Sequence, residues 1–209
     1  LFFFGRDVSR NDDEQPPMTT RDALPLHVPG VLTPQLIGLL RREFRLDWNG
    51  FHGAAHWARV RVNGLRLALH NGADTRVVEY FAFLHDVCRE NEGRDPEHGL
   101  RAARFAASIR REFIALDDDA FDLLITAIAG HTGGKGHDNL TVCTCWDADR
   151  LDLPRVGTAT NPQYLCTHEA RDPLQIGRAR EAAHGWLRNH LRNDCRGHAD
   201  GLLGYDDES

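Results

Sequence analysis

The sequence lacks the features that would assign it to a membrane, a secretory route or nucleic acid. No apolar run approaches the roughly 20 residues that a bilayer-spanning helix needs. The opening LFFFG is too short for a signal peptide and has neither a basic leader nor a cleavage site. The formal net charge of −6 argues against a general binder of phosphate backbones. We therefore expect neither a membrane partner nor a nucleic-acid partner.

Cysteines that could form a disulfide framework or a thiolate metal site are also lacking. The chain has Cys88, Cys143, Cys145, Cys166 and Cys195, an odd number without a regular pattern. The single residue between Cys143 and Cys145 is the wrong spacer for a tetrahedral thiolate site. This usage is typical of reduced thiols, so we predict a cytoplasmic protein.

Methionine and lysine are almost absent. Met18 is the only methionine and the chain begins with Leu1, which indicates that residues 1–17 precede the native start or come from a vector. We predict that residues 1–22 form a segment outside the fold, either disordered or foreign to the native protein. Lys135 is the only lysine, a bias that we attribute to a GC-rich genome rather than to function.

The alternation of apolar and polar residues that predicts β-strands is missing, and helical patterns fill the chain instead. Thr33 followed by Pro34 is a well-formed helix start, and Asp74 is a second N-cap. Pro96 and the acidic run at 117–119 open two more predicted helices. The predicted helices begin at Pro34 and cover about 52–70, 75–87, 96–113, 121–130, 143–154 and 174–191.

No repeat and no internal boundary interrupts this series of helices. The stretch after about residue 194 is rich in glycine and aspartate, which is typical of a frayed end. We therefore predict an all-α protein with one helical domain over residues 23–193 and a flexible tail over 194–209.

Histidine is abundant, with 12 in the chain. His52 and His56 are four residues apart and are predicted to share a helix face. The apolar run before residue 85 predicts a buried helix, and His85 and Asp86 follow it side by side. Because burial of either group without a partner costs several kcal/mol, a salt bridge or a metal ion should bind them.

Three carboxylates in WDADRLD could complete such a site. On a helix, Asp149 and Asp152 share a face while Asp147 points nearly opposite. Imidazoles and carboxylates from separate helices form a mixed set of nitrogen and oxygen ligands that suits Mn²⁺, Fe²⁺, Co²⁺ or Mg²⁺. Tightly spaced cysteines, the usual ligands of structural zinc, are absent.

Three segments, FHGAAHWARV, FLHDVCRE and CWDADRLDL, present His56, then His85 and Asp86, then Asp149. This order over about residues 50–155 resembles the HD superfamily of metal-dependent phosphohydrolases, above all its bacterial single-domain members. The resemblance implies a single HD-type helical bundle. It also implies that His56, His85, Asp86 and Asp149 bind one divalent ion of Mn, Fe, Co or Mg, with Asp147 as the runner-up for the last ligand.

The resemblance further implies hydrolysis of a small phosphate-containing molecule, with a nucleotide as one candidate, by attack of a metal-bound water on a phosphate ester. Arg89 lies one helical turn past Asp86, where many members carry a lysine, and would neutralise a phosphate. Glu90 is a candidate base that orients the water. His131, at the start of the loop HTGGKG, is a candidate donor to the leaving group.

His52, Arg89 and Lys135 are the candidate substrate-binding residues. Plainer interpretations stay open for each of them. His52 could support a metal ligand, contact substrate or lie on a helix surface. Arg89 could be a surface residue paired with Glu90 or Glu92. Lys135 lies in a glycine-rich loop, and such loops are common.

The metal ligands have plainer interpretations too. His85 and Asp86 could form a buried ion pair. Asp149 could form a salt bridge with an arginine on a solvated helix face.

Two other functions remain as alternatives. One is an HD-scaffold diiron oxygenase, which would need Asp95 or His98 to join His131 at a second ion. We favour one ion because the spacing from His85-Asp86 to His98 is short for such a site. The GYP element of two-metal phosphodiesterases is also missing, and Arg89-Glu90 replaces the acidic pair of alarmone hydrolases. The other alternative is a non-catalytic nucleotide-binding or sensor module.

Overall fold

The computed structural model describes the backbone of residues 30–201 and the side chains of residues 30–192. Within this range the chain forms seven α-helices and no strand, which confirms the all-α prediction. The helices are α1 (Pro34–Glu43), α2 (Ala54–Asn71), α3 (Thr75–Leu84), α4 (His98–Phe113), α5 (Asp118–Gly130), α6 (Leu140–Arg150) and α7 (Pro173–Gly201). Three short 3₁₀ helices, Leu153–Val156, Pro162–Tyr164 and Glu169–Arg171, lie between α6 and α7.

Side-chain caps fix the starts of four helices. Thr33 Oγ1 accepts a hydrogen bond from a first-turn amide at 3.1 Å, and Pro34 occupies the first helical position. Asp74 Oδ1 accepts from two amides of α3 at 2.8 and 3.2 Å. Asp117 and Asn139 cap α5 and α6 in the same way. These caps satisfy amides that have no partner inside the helix, and those predicted at Thr33 and Asp74 are confirmed.

The start of α2 differs from the prediction. Because the helix begins at Ala54, His52 lies before it and does not share a helix face with His56. The amide of Ala54 donates to Trp48 O at 2.9 Å, and a Cβ on Gly53 would lie 2.2 Å from that oxygen. The chain therefore folds back too tightly at this point to continue a helix.

The end of α3 also differs. The helix stops at Leu84 rather than near residue 87, and His85 and Asp86 lie in the turn that follows. The amides of Val87 and Arg89 bond to the carbonyls three residues before them, at 3.3 and 3.1 Å. This tighter pattern turns the chain out of the α-helix directly after the apolar run.

Three later boundaries shift for similar local reasons. Pro96 lies in a turn closed by a 3.4 Å bond from His98 N to Asp95 O, so α4 begins at His98. α6 ends at Arg150, which leaves Asp152 in the turn before the next 3₁₀ helix. α7 runs to Gly201, beyond the predicted end near 191, and no proline interrupts it.

α3 is the central helix of the fold. Every residue from Val77 to Leu84 is buried, and the helix packs against α2, α5 and α6. Its side chains share one core with Trp57 of α2 and Leu124 of α5. Since each fully buried large apolar side chain contributes about 1.5–3 kcal/mol, this core holds the end of α3 in a fixed position.

Two glycines allow neighbouring helices to approach closely. A Cβ on Gly64 of α2 would lie 2.5 Å from Val78 Cγ1 of α3. A Cβ on Gly99 of α4 would lie 2.8 Å from the carbonyl oxygen of Ile128 in α5. The second contact brings His98, the first residue of α4, beside His131, the residue that follows α5.

None of the described helices is both long enough and apolar enough to cross a membrane. The predicted N-terminal segment, residues 1–22, lies outside the described residues, as does the end of the predicted tail from residue 202 onward.

Candidate metal centre

Five helices bring six histidine and aspartate side chains to one place. α2 contributes one histidine, the turn after α3 a histidine and an aspartate, the start of α4 and the end of α5 one histidine each, and α6 an aspartate. Five of the six are buried and the sixth is mostly so. The six are His56, His85, Asp86, His98, His131 and Asp149.

The first group of ligand atoms is the one that the sequence predicts. His56 Nε2 and His85 Nε2 are 3.1 Å apart. Asp86 Oδ2 lies 3.6 and 3.7 Å from these two nitrogens, and Asp149 Oδ1 lies 3.4 and 3.7 Å from them. His56, His85 and Asp86 are close enough to bind one metal ion together, and Asp149 lies at the same point.

A second group forms on the other oxygen of Asp86. His98 Nε2 and His131 Nε2 are 2.7 Å apart, and they lie 3.0 and 3.7 Å from Asp86 Oδ1. These three residues could also hold an ion. Asp86 therefore faces one histidine pair with each oxygen, the arrangement of a bridging carboxylate. The spacing of the sequence favoured one ion, whereas the structure presents two ligand groups that share Asp86.

Each histidine has its Nδ1 fixed by an acceptor outside the cluster. His56 Nδ1 donates to Asp152 Oδ2 and His131 Nδ1 donates to Ile128 O, both at 2.7 Å. The Nδ1 atom of His85 faces the carbonyl oxygens of Phe81 and Ala82. The Nδ1 atom of His98 faces the carbonyl oxygen of Asp95. With Nδ1 as donor, the neutral ring presents an Nε2 lone pair to the cluster.

In each histidine pair, two Nε2 lone pairs face each other and repel unless a proton or a cation lies between them. The carboxylates Asp149, Asp152 and Asp86 outweigh burial and the charge of Arg155, and they raise the pKa of His56 to about 9. Burial lowers the pKa of His85 to about 3, and the charge on neighbouring histidines acts in the same direction. His56 is therefore the more basic ring of the first pair and the one on which a proton is stabilised.

The two inner carboxylates remain ionised although they are enclosed. Burial opposes ionisation of Asp86, but the surrounding histidines, His85 foremost, hold its pKa well below the usual range. His56 and His85 likewise lower the pKa of Asp149 against the effect of burial. A fixed negative charge between imidazole nitrogens is the electrostatic environment that a divalent cation requires.

Metal binding should release protons at neutral pH. A divalent ion can bind His56 Nε2 only after that atom loses its proton, so affinity should rise about tenfold per pH unit until pH approaches the pKa of about 9. Calorimetric titration with Mn²⁺ in two buffers of different ionisation heat should give at least one proton released per chain at pH 7. Release should shrink towards pH 9, and binding without proton release at pH 7 would contradict the assignment of His56.

Asp147, the runner-up ligand, points away from the cluster. Its carboxylate accepts from the amides of Cys166 and Thr167 and from Thr167 Oγ1 at 2.7–2.8 Å. Burial raises the pKa of Asp147 in spite of these bonds. Asp147 therefore anchors the segment between α6 and α7, as the helix-face argument for Asp149 requires.

Two variants separate these aspartates. Asp149→Ala should abolish or strongly weaken binding of the ion at His56 and His85, with little loss of stability. Asp147→Ala should leave metal content unchanged but lower the free energy of unfolding by about 3 kcal/mol, because it leaves buried donors without a partner. Metal analysis and urea denaturation of both variants distinguish the roles, and loss of metal in Asp147→Ala alone would exchange them.

Asp152 orients a metal ligand, a role that its sequence position alone does not reveal. It is fully buried and bonds His56 Nδ1, while Arg59 donates to its two oxygens at 2.7 and 3.0 Å. A carboxylate behind a ligating imidazole fixes the ring orientation and raises its basicity. The sequence signal for this role was the three-residue spacing between Asp149 and Asp152, because it predicts that the two carboxylates share a helix face.

Arg89 is buried beside the second ligand group. Its Nη1 lies 3.6 Å from Asp86 Oδ1 and 3.4 Å from His98 Nε2, and its Nη2 donates to Gly93 O at 2.7 Å. Its Nε is buried without a hydrogen-bond partner. The surface pairing with Glu90 or Glu92 is wrong, because neither carboxylate contacts Arg89.

Glu90, the candidate base, is exposed and lies away from the cluster. Its carboxylate pairs with Arg45 at 3.7 Å and with Arg101 at 3.8 Å. Asp95, the other candidate for a second ion, also binds Arg101, and its Oδ2 accepts from the Glu90 amide. The structure therefore brings neither Glu90 nor Asp95 into the ligand set.

A cavity of about 630 Å³ opens onto Asp86, Asp149 and the second histidine pair. His52 lines it, with its Nδ1 bonded to Glu92, and Lys135 lies at its exposed edge. Among the described residues, the Lys135 ammonium group has no partner. The wall carries four cationic side chains, Arg89, Lys135, Arg150 and Arg155.

Comparisons with known proteins found no family model, no curated protein and no solved structure that matches this chain.

Proposed function

We propose that the protein is a divalent-metal-dependent phosphohydrolase of the HD type that acts on a phosphate ester. The observation that carries this proposal is the set of four buried histidines whose Nε2 atoms face the two oxygens of Asp86, with Asp149 beside them. Four members of this ligand set, Asp86, His98, His131 and Asp149, line a cavity whose wall also carries cationic side chains. Imidazole and carboxylate ligands in this mixture suit Mn²⁺, Fe²⁺, Co²⁺ or Mg²⁺.

The two ligand groups support two ions rather than the one that the sequence favoured. His56, His85, Asp86 and Asp149 would hold the first, and His98 and His131 would hold the second together with Asp86. His131 then becomes a ligand instead of the proton donor predicted from the sequence. Divalent ions in such a site acidify water and withdraw charge from a phosphoryl oxygen.

Arg89 and the other cations act on the substrate. The guanidinium of Arg89 lies beside Asp86 and lines the cavity, so it can donate to a phosphate oxygen that enters there. Lys135 at the edge adds a second positive charge that attracts anions. His52, held by Glu92, forms part of the wall against which a substrate lies.

One observation favours a second candidate, an HD-scaffold diiron oxygenase. Such an enzyme needs His98 and His131 to join the cluster, and both lie within 3.7 Å of Asp86 Oδ1. The cationic wall favours the phosphohydrolase, because an arginine next to the ligands stabilises the charge of a phosphate. Both candidates share the ligands and differ in their need for oxygen.

Oxygen dependence is therefore the decisive test. Protein loaded with Mn²⁺ should release phosphate from at least one member of a panel of nucleoside mono-, di- and triphosphates and simple monoesters. Because hydrolysis consumes only water, the rate should be the same with and without oxygen. Phosphate release measured under both atmospheres checks this, with Asp149→Ala as the inactive control.

Two results would contradict the proposal. Product that appears only with iron and oxygen would assign the protein to the oxygenases. Full metal content without turnover of any ester would favour a nucleotide-binding or sensor module.

A further inference from the structure

A second cavity of about 390 Å³ adjoins the one above the metal ligands. The two cavities share His52, Arg155 and Val156 as wall residues. The two cavities are therefore neighbours on either side of these three residues.

One wall of this second cavity is apolar and comes from α7 and from the segment before α2. Leu187 lines it together with Phe51, whose ring contacts Trp186 and His190 of α7 at centroid distances of 5.6 and 5.4 Å. At the border between the cavities, Val156 is 42% exposed. An apolar group placed there would remove this surface from water, which is favourable.

The charges on the wall also select the group that fits. Arg155 Nε donates to Phe51 O at 2.8 Å and Nη1 to Asp152 O at 3.2 Å, which fixes the guanidinium between the two cavities. Glu92, bonded to His52, is the carboxylate on the wall of the second cavity. Arg155 and Glu92 give this wall one charge of each sign, so a charged group of either sign would lie beside a like charge, whereas an uncharged group would not.

We propose that the second cavity binds the alcohol part of the substrate, and that the substrate is a phosphate monoester of an uncharged, largely apolar alcohol. The phosphate would lie beside Arg89 in the first cavity, at the ions that Asp86 and the histidines would hold, and the alcohol lies against Phe51, Val156 and Leu187. This assignment rests on the proposed phosphohydrolase function, because that function is what brings a phosphate to Asp86.

Binding of alkylphosphonates tests the cavity without any need for turnover, since they contain no ester bond. Affinity of the Mn²⁺-loaded protein should rise about fourfold for each methylene that becomes buried, so butylphosphonate should bind about tenfold or more tightly than methylphosphonate. Calorimetry with methyl-, butyl- and hexylphosphonate measures this. In parallel, kcat/KM for the matching alkyl phosphates should rise in the same order, because their leaving groups are similar in basicity.

Substitutions on the apolar wall should remove the preference. In Leu187→Asn, and in the more exposed Val156→Asn, the ratio of butyl to methyl affinity should fall towards one. The matched control is Leu191→Asn, one turn further along α7 at a side chain that is 52% exposed and lies outside the cavity wall. That variant should keep the wild-type ratio.

The outcomes separate the cavity assignment from the proposed function. Equal affinity of the wild type for all three phosphonates would overturn the cavity assignment, even if phosphate esters are hydrolysed. An unchanged ratio in both wall variants would overturn it as well. A chain-length preference that Leu187→Asn abolishes would support the cavity assignment, even if no ester is hydrolysed and the proposed reaction is wrong.

Discussion

Asp86→Ala should prevent binding at both proposed ion sites at once and lower the proposed phosphohydrolase activity by about 10³-fold or more, equivalent to about 4 kcal/mol in the activation barrier. The reason is its position between the two histidine pairs, 3.6 Å from His56 Nε2 on one oxygen and 3.0 Å from His98 Nε2 on the other. No other side chain of the cluster faces both pairs in this way. Metal analysis of the purified variant, beside a phosphate-release assay, measures both effects.

Variants that alter only one of the two ligand groups should lose only one ion, which distinguishes them from Asp86→Ala. His98→Ala should lose the second ion and keep the first, because the first group does not include His98. His85→Ala should weaken the first group in the same selective way. The wild type should hold close to two ions per chain under saturating conditions.

A matched control comes from the helix that precedes Asp86. Glu79 is a buried carboxylate within α3, and it pairs with Arg61 and accepts from the amide of Val31 at 3.2 Å. Glu79→Gln should lower stability but leave metal content unchanged. If Asp86→Ala retained full metal, or if Glu79→Gln lost as much metal, the bridging role of Asp86 would be wrong.

The parts of the fold that follow from local chemistry were predictable from the sequence. The absence of strand alternation and the caps at Thr33 and Asp74 depend on residues within one turn of each other. The ligands His56, His85, Asp86 and Asp149 were predictable for the same reason, because each lies in a short segment that can be recognised by itself.

His98 was undervalued because its place depends on a contact between helices. The spacing from Asp86 to His98 is short, yet the chain turns back at Pro96 and α4 packs closely on α5 at Gly99. That packing sets the 2.7 Å distance between His98 and His131. Sequence spacing carries no information about such a contact, although the glycine directly after His98 was a signal of close approach.

Glu90 shows the opposite error, a role given on sequence proximity alone. The turn after Asp86 directs consecutive side chains to different sides, so Arg89 enters the cluster while Glu90 reaches Arg45 and Arg101 at the surface. Which neighbour points inward is decided by the 3₁₀-like bonds that end α3, and periodicity does not encode them.

Arg89→Ala should lower kcat by about 10²-fold, equivalent to about 2.7 kcal/mol, without loss of metal. In the wild type the guanidinium lies 3.6 Å from Asp86 Oδ1 and 3.4 Å from His98 Nε2. Its positive charge there opposes a second cation but favours a phosphate once the ions are bound. Removal of the charge should therefore leave metal affinity unchanged or tighter, while turnover of the same ester falls.

The accompanying change in stability should be small but measurable. Because Arg89 is buried and donates to Gly93 O at 2.7 Å, its truncation should cost about 1 kcal/mol rather than nothing. Urea denaturation of the metal-free protein measures this. A loss several times larger would indicate that Arg89 is mainly a structural residue.

Two further variants test the role of the charge itself. Arg89→Lys should recover part of the lost rate, since it keeps the charge but loses the two-pronged geometry of the guanidinium. Arg94→Ala, which removes an exposed arginine from the same loop, changes the net charge equally and should leave kcat near the wild-type value. Unchanged kcat in Arg89→Ala on a confirmed substrate would remove this arginine from the mechanism and leave Lys135 and the ligand cluster to bind the phosphate.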